Sequence, residues 1–288
     1  MSHMRVLLLT LVAMLAFAAN SLLCRVALKH TAIDAASFTL IRILSGALAL
    51  WLIARMRDGR RPPAGNWISA LALFGYAAAF SFAYLTLTAA TGALLLFGAV
   101  QATMIGVGLY RGERLRSRQT AGLVCALGGL AGLLLPGLSA PAWQGSLLML
   151  AAGGCWGVYS LRAKGSGDAL RVTAGNFLRA VLPAVAVSAS MLPWASLDRA
   201  GIACAVASGA LASGVGYAVW YTALAGLKAT SAATMHLSVP VFAAVGGVVF
   251  LGESVTLRLL VASAAILGGI ALVIVRRQGA AAPKPARP

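Results

Sequence analysis

The sequence predicts an all-α integral membrane protein, with ten transmembrane helices arranged as two inverted five-helix repeats around a central cavity. Three observations carry this. The 288 residues are 60% hydrophobic and only 10% charged, against roughly 45–50% and 25% in soluble chains, and the mean hydropathy is +0.90. Ten apolar stretches, each near the ~20 residues that cross a bilayer, follow one another with short polar breaks. The second half of the chain repeats features of the first. Such a composition excludes disorder, and four cysteines in 288 residues are too few for a disulfide scaffold.

In chain order the spans are expected at about 6–28, 34–54, 67–88, 92–110, 119–135, 142–161, 171–191, 201–225, 230–251 and 257–275. Turn chemistry separates them: Arg57 to Pro63, Pro136-Gly137 with Pro141, Lys164 to Asp168, and Pro193. Ser2-His3-Met4 resembles a cloning scar, which would put the natural start at Met4. The first apolar run is too long for a signal peptide, and Asn20 to Arg25 offers no clear small-residue cleavage site, so it is expected to be retained. The Ala/Pro/basic residues 279–288 are expected to form a disordered tail.

A net charge of +17 comes from 23 Lys/Arg against 6 Asp/Glu. On the ten-span map, 17 of the 23 lie on one side: Arg5, Arg55, Arg57, Arg60, Arg61, Arg111, Arg114, Arg116, Arg118, Arg162, Lys164, Arg171, Lys228, Arg276, Arg277, Lys284 and Arg287. Lys29, Arg199 and Arg258 lie on the other, and Arg25, Arg42 and Arg179 fall within spans. This is the positive-inside bias, and it places both termini in the cytoplasm. Orientation and attraction to anionic lipid account for the charge, so the bilayer is an expected partner and nucleic acid is not. The preference for arginine over lysine points to a GC-rich bacterium and nothing more; the expected location is a bacterial inner membrane.

The repeat is short in sequence but ordered. Tyr110-Arg111-Gly112-Glu113 matches Phe250-Leu251-Gly252-Glu253, each followed by a Gly-rich apolar run. Phe38 to Arg42 matches Gly175 to Arg179 at an offset of 137, and Phe80 and Tyr84 fall on Tyr217 and Tyr221 at the same offset. The halves are 1–137 and 138–278. Five spans is an odd number, so the second half runs through the membrane upside down. The charges agree, because the basic loop at 55–61 corresponds to a nearly neutral stretch at 192–199. Inverted repeats are a transporter architecture, with the substrate near the midplane between the halves and access alternating as they rock.

Two five-helix halves, a Gly-Glu at each fourth-to-fifth junction, Arg42 and Arg179 in the second helix of each half, and Gly-rich fifth and tenth helices together resemble the drug/metabolite transporter superfamily, specifically its EamA-type exporters. The resemblance covers about 6 to 275. It implies export of small metabolites, and its YddG-type branch implies aromatic and other amino acids. The chain departs from the pattern in one place: the fourth helix of each half often carries a proline, present here at Pro240 but replaced by Gln101 in the first half. The aromatic-Pro pattern of the YddG branch is also missing around Phe97 to Thr103.

Candidate substrate-binding residues are polar or aromatic groups inside spans. Tyr76, Phe80 and Tyr84 share one stripe on the third span, at i, i+4, i+8. Tyr217, Trp220 and Tyr221 form the repeat-related face on the eighth, and Trp156 with Tyr159 and Ser160 a face on the sixth. Each buried phenol needs a hydrogen-bond partner; plain helix packing is the competing reading of each. Trp51, Trp67, Trp143 and Trp194 lie at span ends, as interfacial anchors do. Asn20 and Gln101 are candidates for the polar groups of a zwitterion, or for bridges between helices. His236 is the one histidine deep in a span. Arg42 and Arg179 are read as structural in-membrane charges facing protein, and Glu113 and Glu253 as helix or loop anchors.

All six acids (Asp34, Asp58, Glu113, Asp168, Asp198 and Glu253) fall in loops or at span ends. Proton relays place a carboxylate mid-membrane, so facilitated diffusion is expected, with His236 the internal titrating candidate. No phosphate loop, paired carboxylates or Cys/His set at metal spacing occurs; no enzyme, cofactor or metal is expected, and Cys24, Cys125, Cys155 and Cys204 read as free thiols. Small-residue runs at Gly128-Gly129, Gly132, Gly268-Gly269 and Gly209 to Gly216 allow close helix approach, the last also a bend beside the aromatic trio. With the substrate class that the resemblance implies, the expected function is export of amino acids, aromatic and other neutral ones foremost, by alternating access, with a monomer favoured over an oligomer. An exporter of drugs or other metabolites is the nearest alternative, and an intramembrane enzyme or structural membrane protein the alternative of another class.

Overall fold

The computed structural model describes residues 2–59, 63–112, 114–137, 140–163, 167–227 and 229–274. The tail 279–288, Glu113, Arg60, Arg61, Lys164 and Lys228 lie outside the described residues.

Ten helical rods run in chain order among the described residues. Seven are single helices: α1 (His3–His30), α2 (Ala35–Asp58), α3 (Trp67–Ala83), α4 (Ala89–Tyr110), α5 (Ser117–Leu134), α6 (Trp143–Ala163) and α7 (Ala169–Ser190). The eighth is α8 (Arg199–Val206), a π-helical middle (Ala207–Val215) and α9 (Gly216–Leu224). The ninth is α10 (Ala229–His236) and α11 (Ser238–Leu251), and the tenth is α12 (Leu257–Ile274). Seven of the ten are long and apolar enough to cross a membrane. The other three are α3, with 17 residues, and α5 and α6, whose apolar runs are diluted by glycine and polar residues. Leucines on outward stripes, such as Leu44, Leu48 and Leu52 on α2, stay exposed; an apolar outer face at helical spacing is what lipid solvates.

Side-chain caps set many of the helix starts: Asp34 accepts from Ala36 and Ser37, Asn66 from Ser69, Thr88 from Thr91, Asp168 from Leu170 and Arg171, and Asp198 from Gly201. The third span was expected to reach 88. Its helix stops at Ala83, because a turn at 84–87 leads directly into the Thr88 cap of α4. Tyr84 therefore caps the helix end, its N–H on the Phe80 carbonyl and its ring 4.8 Å from that of Phe80, the last step of the stripe begun by Tyr76. Two rods depart from a uniform α-helix, the ninth by a break and the eighth by a change of winding within one continuous span. In the ninth, the helix breaks at Leu237; the Pro240 ring cannot fit against the carbonyl four residues back, that of His236. In the first half Gln101 stands in the matching place and α4 runs unbroken. In the eighth, the Gly/Ala/Ser-rich middle widens into the π-helix as it presses on α2: a Cβ on Gly209 would strike the Arg42 carbonyl and the Ser45 hydroxyl.

The packing obeys an exchange of halves. α2 packs on its counterpart α7, and α5 on its counterpart α12. The pairings α3 with α6, α4 with α6 and α3 with α7 have partners in the eighth rod with α1, α11 with α1 and the eighth rod with α2. Counterpart rods run antiparallel. Arg57 near the end of α2 pairs with Asp168 at the start of α7, while Asp34 at the start of α2 binds Ser196 just beyond α7. Likewise Gln119 at the start of α5 donates to Val273, and Arg258 at the start of α12 donates to Leu135. Two inverted halves follow directly from these four links. One end of the bundle carries Arg57, Arg116, Arg162 and Arg171 and is the basic end; the other carries Asp34, Arg258 and Glu253.

Candidate functional site

Between the halves lies a cavity of about 460 Å³. It reaches the basic end, where Ala163, Ala169 and Leu224, the terminal residues of α6, α7 and α9, form its rim. Its wall is mostly aromatic: Phe17, Phe97, Trp156, Tyr159, Tyr217, Trp220 and Tyr221, joined by Gln101, Ser160 and His236. A narrower space of about 40 Å³ continues inward, lined by Asn20, Ser21, Tyr76, Phe80 and Ser213 and sharing Trp156, Tyr217 and His236 with the main chamber. Among the described residues no carboxylate lines either space; Asp168 borders an adjoining recess at the basic end, where it pairs with Arg57 and which shares Ala169 and Tyr221 with the main chamber.

The rings lock one another. Trp156 lies 4.9 Å from Tyr76, 5.2 Å from Tyr159 and 5.7 Å from Tyr217. It therefore bridges the first repeat to the second, at separations favourable for aromatic pairs. The phenols find polar partners, as their burial requires: Tyr159 donates to the Thr173 hydroxyl at 3.2 Å, and Thr173 and Tyr221 share a hydrogen bond of 2.8 Å. His236 occupies the last residue before the Pro240 break. Its Nδ1 meets the Ala232 carbonyl at 3.2 Å, its ring stacks on Phe17 at 5.8 Å, and the edge of Trp220 approaches to 4.5 Å. A break in a helix beside a midplane cavity is the arrangement expected of a transporter site.

The structure brings most of the sequence candidates together. Gln101, Trp156, Tyr159, Tyr217, Trp220, Tyr221 and His236 line the main chamber, and Asn20, Tyr76 and Phe80 its inner end. Tyr84 stands apart: it is fully buried near the opposite end, its hydroxyl facing the Ala89 carbonyl and its ring against Gly92. Arg42 lies behind the Tyr76 and Phe80 rings. Arg179 lies away from the cavity and binds the carbonyls of Ala64 and Gly175, an anchor for the chain entering α3. Glu253 accepts from the Ala89 N–H at the start of α4 and pairs with Arg25. Sequence reasoning missed Phe17, which touches Tyr217, Trp220 and His236. The repeat itself holds the signal, because Phe17 is the counterpart of Trp156 at an offset of 139. Thr173 and Ser208 were also missed, being small hydroxyls with nothing in the sequence to distinguish them.

Comparison with known proteins agrees with this architecture. The model of the EamA-like transporter family matches the chain twice, over residues 4–135 and 143–275. An uncharacterized protein of Pseudomonas aeruginosa is 56% identical over 283 residues, covering 98% of this chain and 99% of its own. A probable terminal-alkyne amino-acid exporter of Streptantibioticus cattleyicolor is 30% identical over 260 residues, 85% of each chain. The threonine/homoserine exporter RhtA of Salmonella typhimurium is 36% identical over 118 residues, 39% of each. A crystal structure 20% identical in sequence aligns over 94% of this chain and 96% of its own with a TM-score of 0.66, a likeness of fold. With its two copies of the family's five-helix unit closing on one cavity, the chain belongs to the EamA-like transporter family: it is a multi-pass membrane transporter and not an enzyme.

Proposed function

We propose that the protein exports amino acids, aromatic and other neutral ones foremost, by alternating access and facilitated diffusion. The observation that carries this is the cavity itself. About 460 Å³ of space, walled by rings and supplied with a few amide, hydroxyl and imidazole groups, suits a small zwitterion with an apolar side chain. Two relatives named as amino-acid exporters support the substrate class. The bias of Lys/Arg to one end supports cytoplasmic termini in a bacterial inner membrane, so that the cavity faces the cytoplasm, where an exporter loads. Downhill transport is favoured because no described carboxylate faces the cavity to carry a proton.

The test is uptake of labelled Trp, Phe, Met, Thr and Glu by proteoliposomes, with and without a pH gradient. Saturable uptake of neutral amino acids without a gradient is the expected result. Absence of flux for all five would remove the amino-acid assignment and move other metabolites or drugs ahead, with the transporter architecture unchanged.

A further inference from the structure

Arg42 and Arg179 are counterparts in the two repeats, yet they are satisfied differently. Arg179 spends its Nη1 on two backbone carbonyls. Arg42 is 3% exposed two turns into α2; its Nη2 donates to the Tyr76 hydroxyl at 3.0 Å and its Nη1 meets no acceptor among the described residues. Arginine keeps its charge in proteins, and a charge at this depth demands a partner. The described acids are engaged elsewhere: Glu253 with Arg25, Asp168 with Arg57, and Asp34 and Asp198 with backbone N–H groups. What Arg42 has instead is the faces of two rings, with its guanidinium carbon 5.3 Å from the Tyr76 centroid and 4.7 Å from that of Phe80.

Those two rings are the wall of the inner chamber. The Tyr76 oxygen accepts from Arg42 Nη2 and from Asn20 Nδ2, at 3.3 Å, while Asn20 Oδ1 is held by the Ser208 hydroxyl at 2.6 Å. A phenol oxygen with both lone pairs occupied has only its proton left to give. Among the described residues that proton finds no acceptor, and the space beside it is the inner chamber. At about 10–15 Å³ per water molecule, its roughly 40 Å³ holds about three heavy atoms, the size of a carboxylate group.

We propose that Tyr76, with Arg42 behind it and Asn20 beside it, is the subsite that receives the carboxylate of a transported organic or amino acid, whose apolar body lies in the aromatic chamber. Tyr76 donates to a carboxylate oxygen. Arg42 is the positioning residue: it polarises that phenol and supplies the missing countercharge, and the arriving anion supplies Arg42 with the partner it lacks. This rests on reading the cavity as the transport site.

The experiment compares binding of 3-phenylpropionate and 3-phenylpropanol to the purified full chain in detergent, followed by tryptophan fluorescence, since Trp156 lies 4.9 Å from Tyr76. The carboxylate should bind about tenfold or more tightly than the alcohol, as expected of a charge-assisted hydrogen bond. Tyr76→Phe and Arg42→Gln should each bring that ratio close to one, with Arg42→Lys retaining part of it. Tyr76→Phe removes a single oxygen and keeps the ring, so it decides the matter even where an Arg42 variant fails to fold. Equal binding of the two probes to the unsubstituted protein, or an unchanged ratio in Tyr76→Phe, overturns the subsite. The two readings separate cleanly. Carboxylate-selective binding without amino-acid flux leaves the subsite standing and removes the transport assignment, whereas amino-acid flux undiminished in Tyr76→Phe does the reverse.

Discussion

The Arg25 guanidinium and the Glu253 carboxylate meet at 3.1 Å across 228 residues of chain, tying the first repeat to the second at the end of the bundle opposite the cavity mouth. Both side chains are 6% exposed. Each is satisfied further by backbone: Arg25 donates to the Tyr84 and Leu85 carbonyls, and Glu253 accepts the Ala89 N–H. Removing one member of a buried pair strands the other's charge, at a cost of about 3–5 kcal/mol. Glu253→Gln and Arg25→Met are therefore each expected to be strongly destabilising, and the double substitution to lose clearly less than their sum. Thermal unfolding in detergent, arranged as a double-mutant cycle, reads the coupling. Strictly additive losses would show that the pair itself contributes nothing.

The tight glycines and the open ones make a second prediction. On the α5–α12 interface a Cβ at Gly129 would lie 2.7 Å from the Ala265 Cβ, and one at Gly269 would lie 2.7 Å from the Ala126 backbone nitrogen. At Gly128, Gly132 and Gly268 it would meet nothing within 4 Å. Leucine at Gly129 or Gly269 must separate the two helices, so a loss of about 1–3 kcal/mol or more is expected. Leucine at Gly128, Gly132 or Gly268 should be tolerated, with a small gain from replacing glycine inside a helix. Comparing folded yield and melting temperature across the five variants checks this; equal effects on both groups would contradict it.

What the sequence reveals and what it hides divides along physical lines. The existence of the spans is local information, written in apolar length, and the inversion is written in charge. Breaks inside rods were harder to see. Pro240 marked one, but a proline in an apolar run reads equally as a kink or a tolerated ring, and here the helix opens at Leu237, clear of the His236 carbonyl that the ring would meet. The π-helical middle at Ala207–Val215 comes from close approach to α2, a tertiary cause with only a run of small residues to announce it. For the site, aromatic stripes named most of the wall. Tyr84 misled because the stripe outruns the cavity: its ring packs on Phe80 at 4.8 Å but lines neither chamber. The different fates of Arg42 and Arg179 were invisible, since the acceptors of Arg179 are backbone carbonyls that any sequence possesses.

Acid should erode one link selectively. Burial disfavours ionisation of Asp34, but hydrogen bonds from the Ser37 hydroxyl and the Ser37, Ser196 and Ala36 N–H groups outweigh it and hold the carboxyl below its usual value. A carboxylate whose pKa is lower folded than unfolded stabilises the fold above the unfolded value, near 3.9, and loses that contribution as pH falls through the folded value. Asp34→Ala removes a helix cap and the Ser196 link, with an expected cost of about 0.5–2 kcal/mol at neutral pH. Its deficit should be constant from pH 7 to about 5 and shrink below the unfolded value. Melting curves for both proteins across that range measure it; a deficit that widens in acid would contradict the assignment.

Coupling can be tested at His236. Its imidazole lies on the cavity wall with Phe17, Phe97 and Trp220 around it, and one nitrogen is engaged with the Ala232 carbonyl. If transport were driven by protons, this ring would have to gain and lose one in each cycle, because no described carboxylate lines the cavity. Downhill exchange makes no such demand and uses the imidazole only as a shaped, polar surface. On that reading His236→Gln, which keeps a hydrogen-bonding group at the break before Pro240, preserves gradient-free counterflow to within about threefold while shifting the preference among side chains, because loss of the ring removes stacking worth about 0.5–1.5 kcal/mol. Initial rates in proteoliposomes, with the internal pH equal to the external and then one unit lower, test both halves of the statement. Strong acceleration by the pH step in the unsubstituted protein, abolished in His236→Gln, would establish proton coupling through this histidine in place of facilitated diffusion.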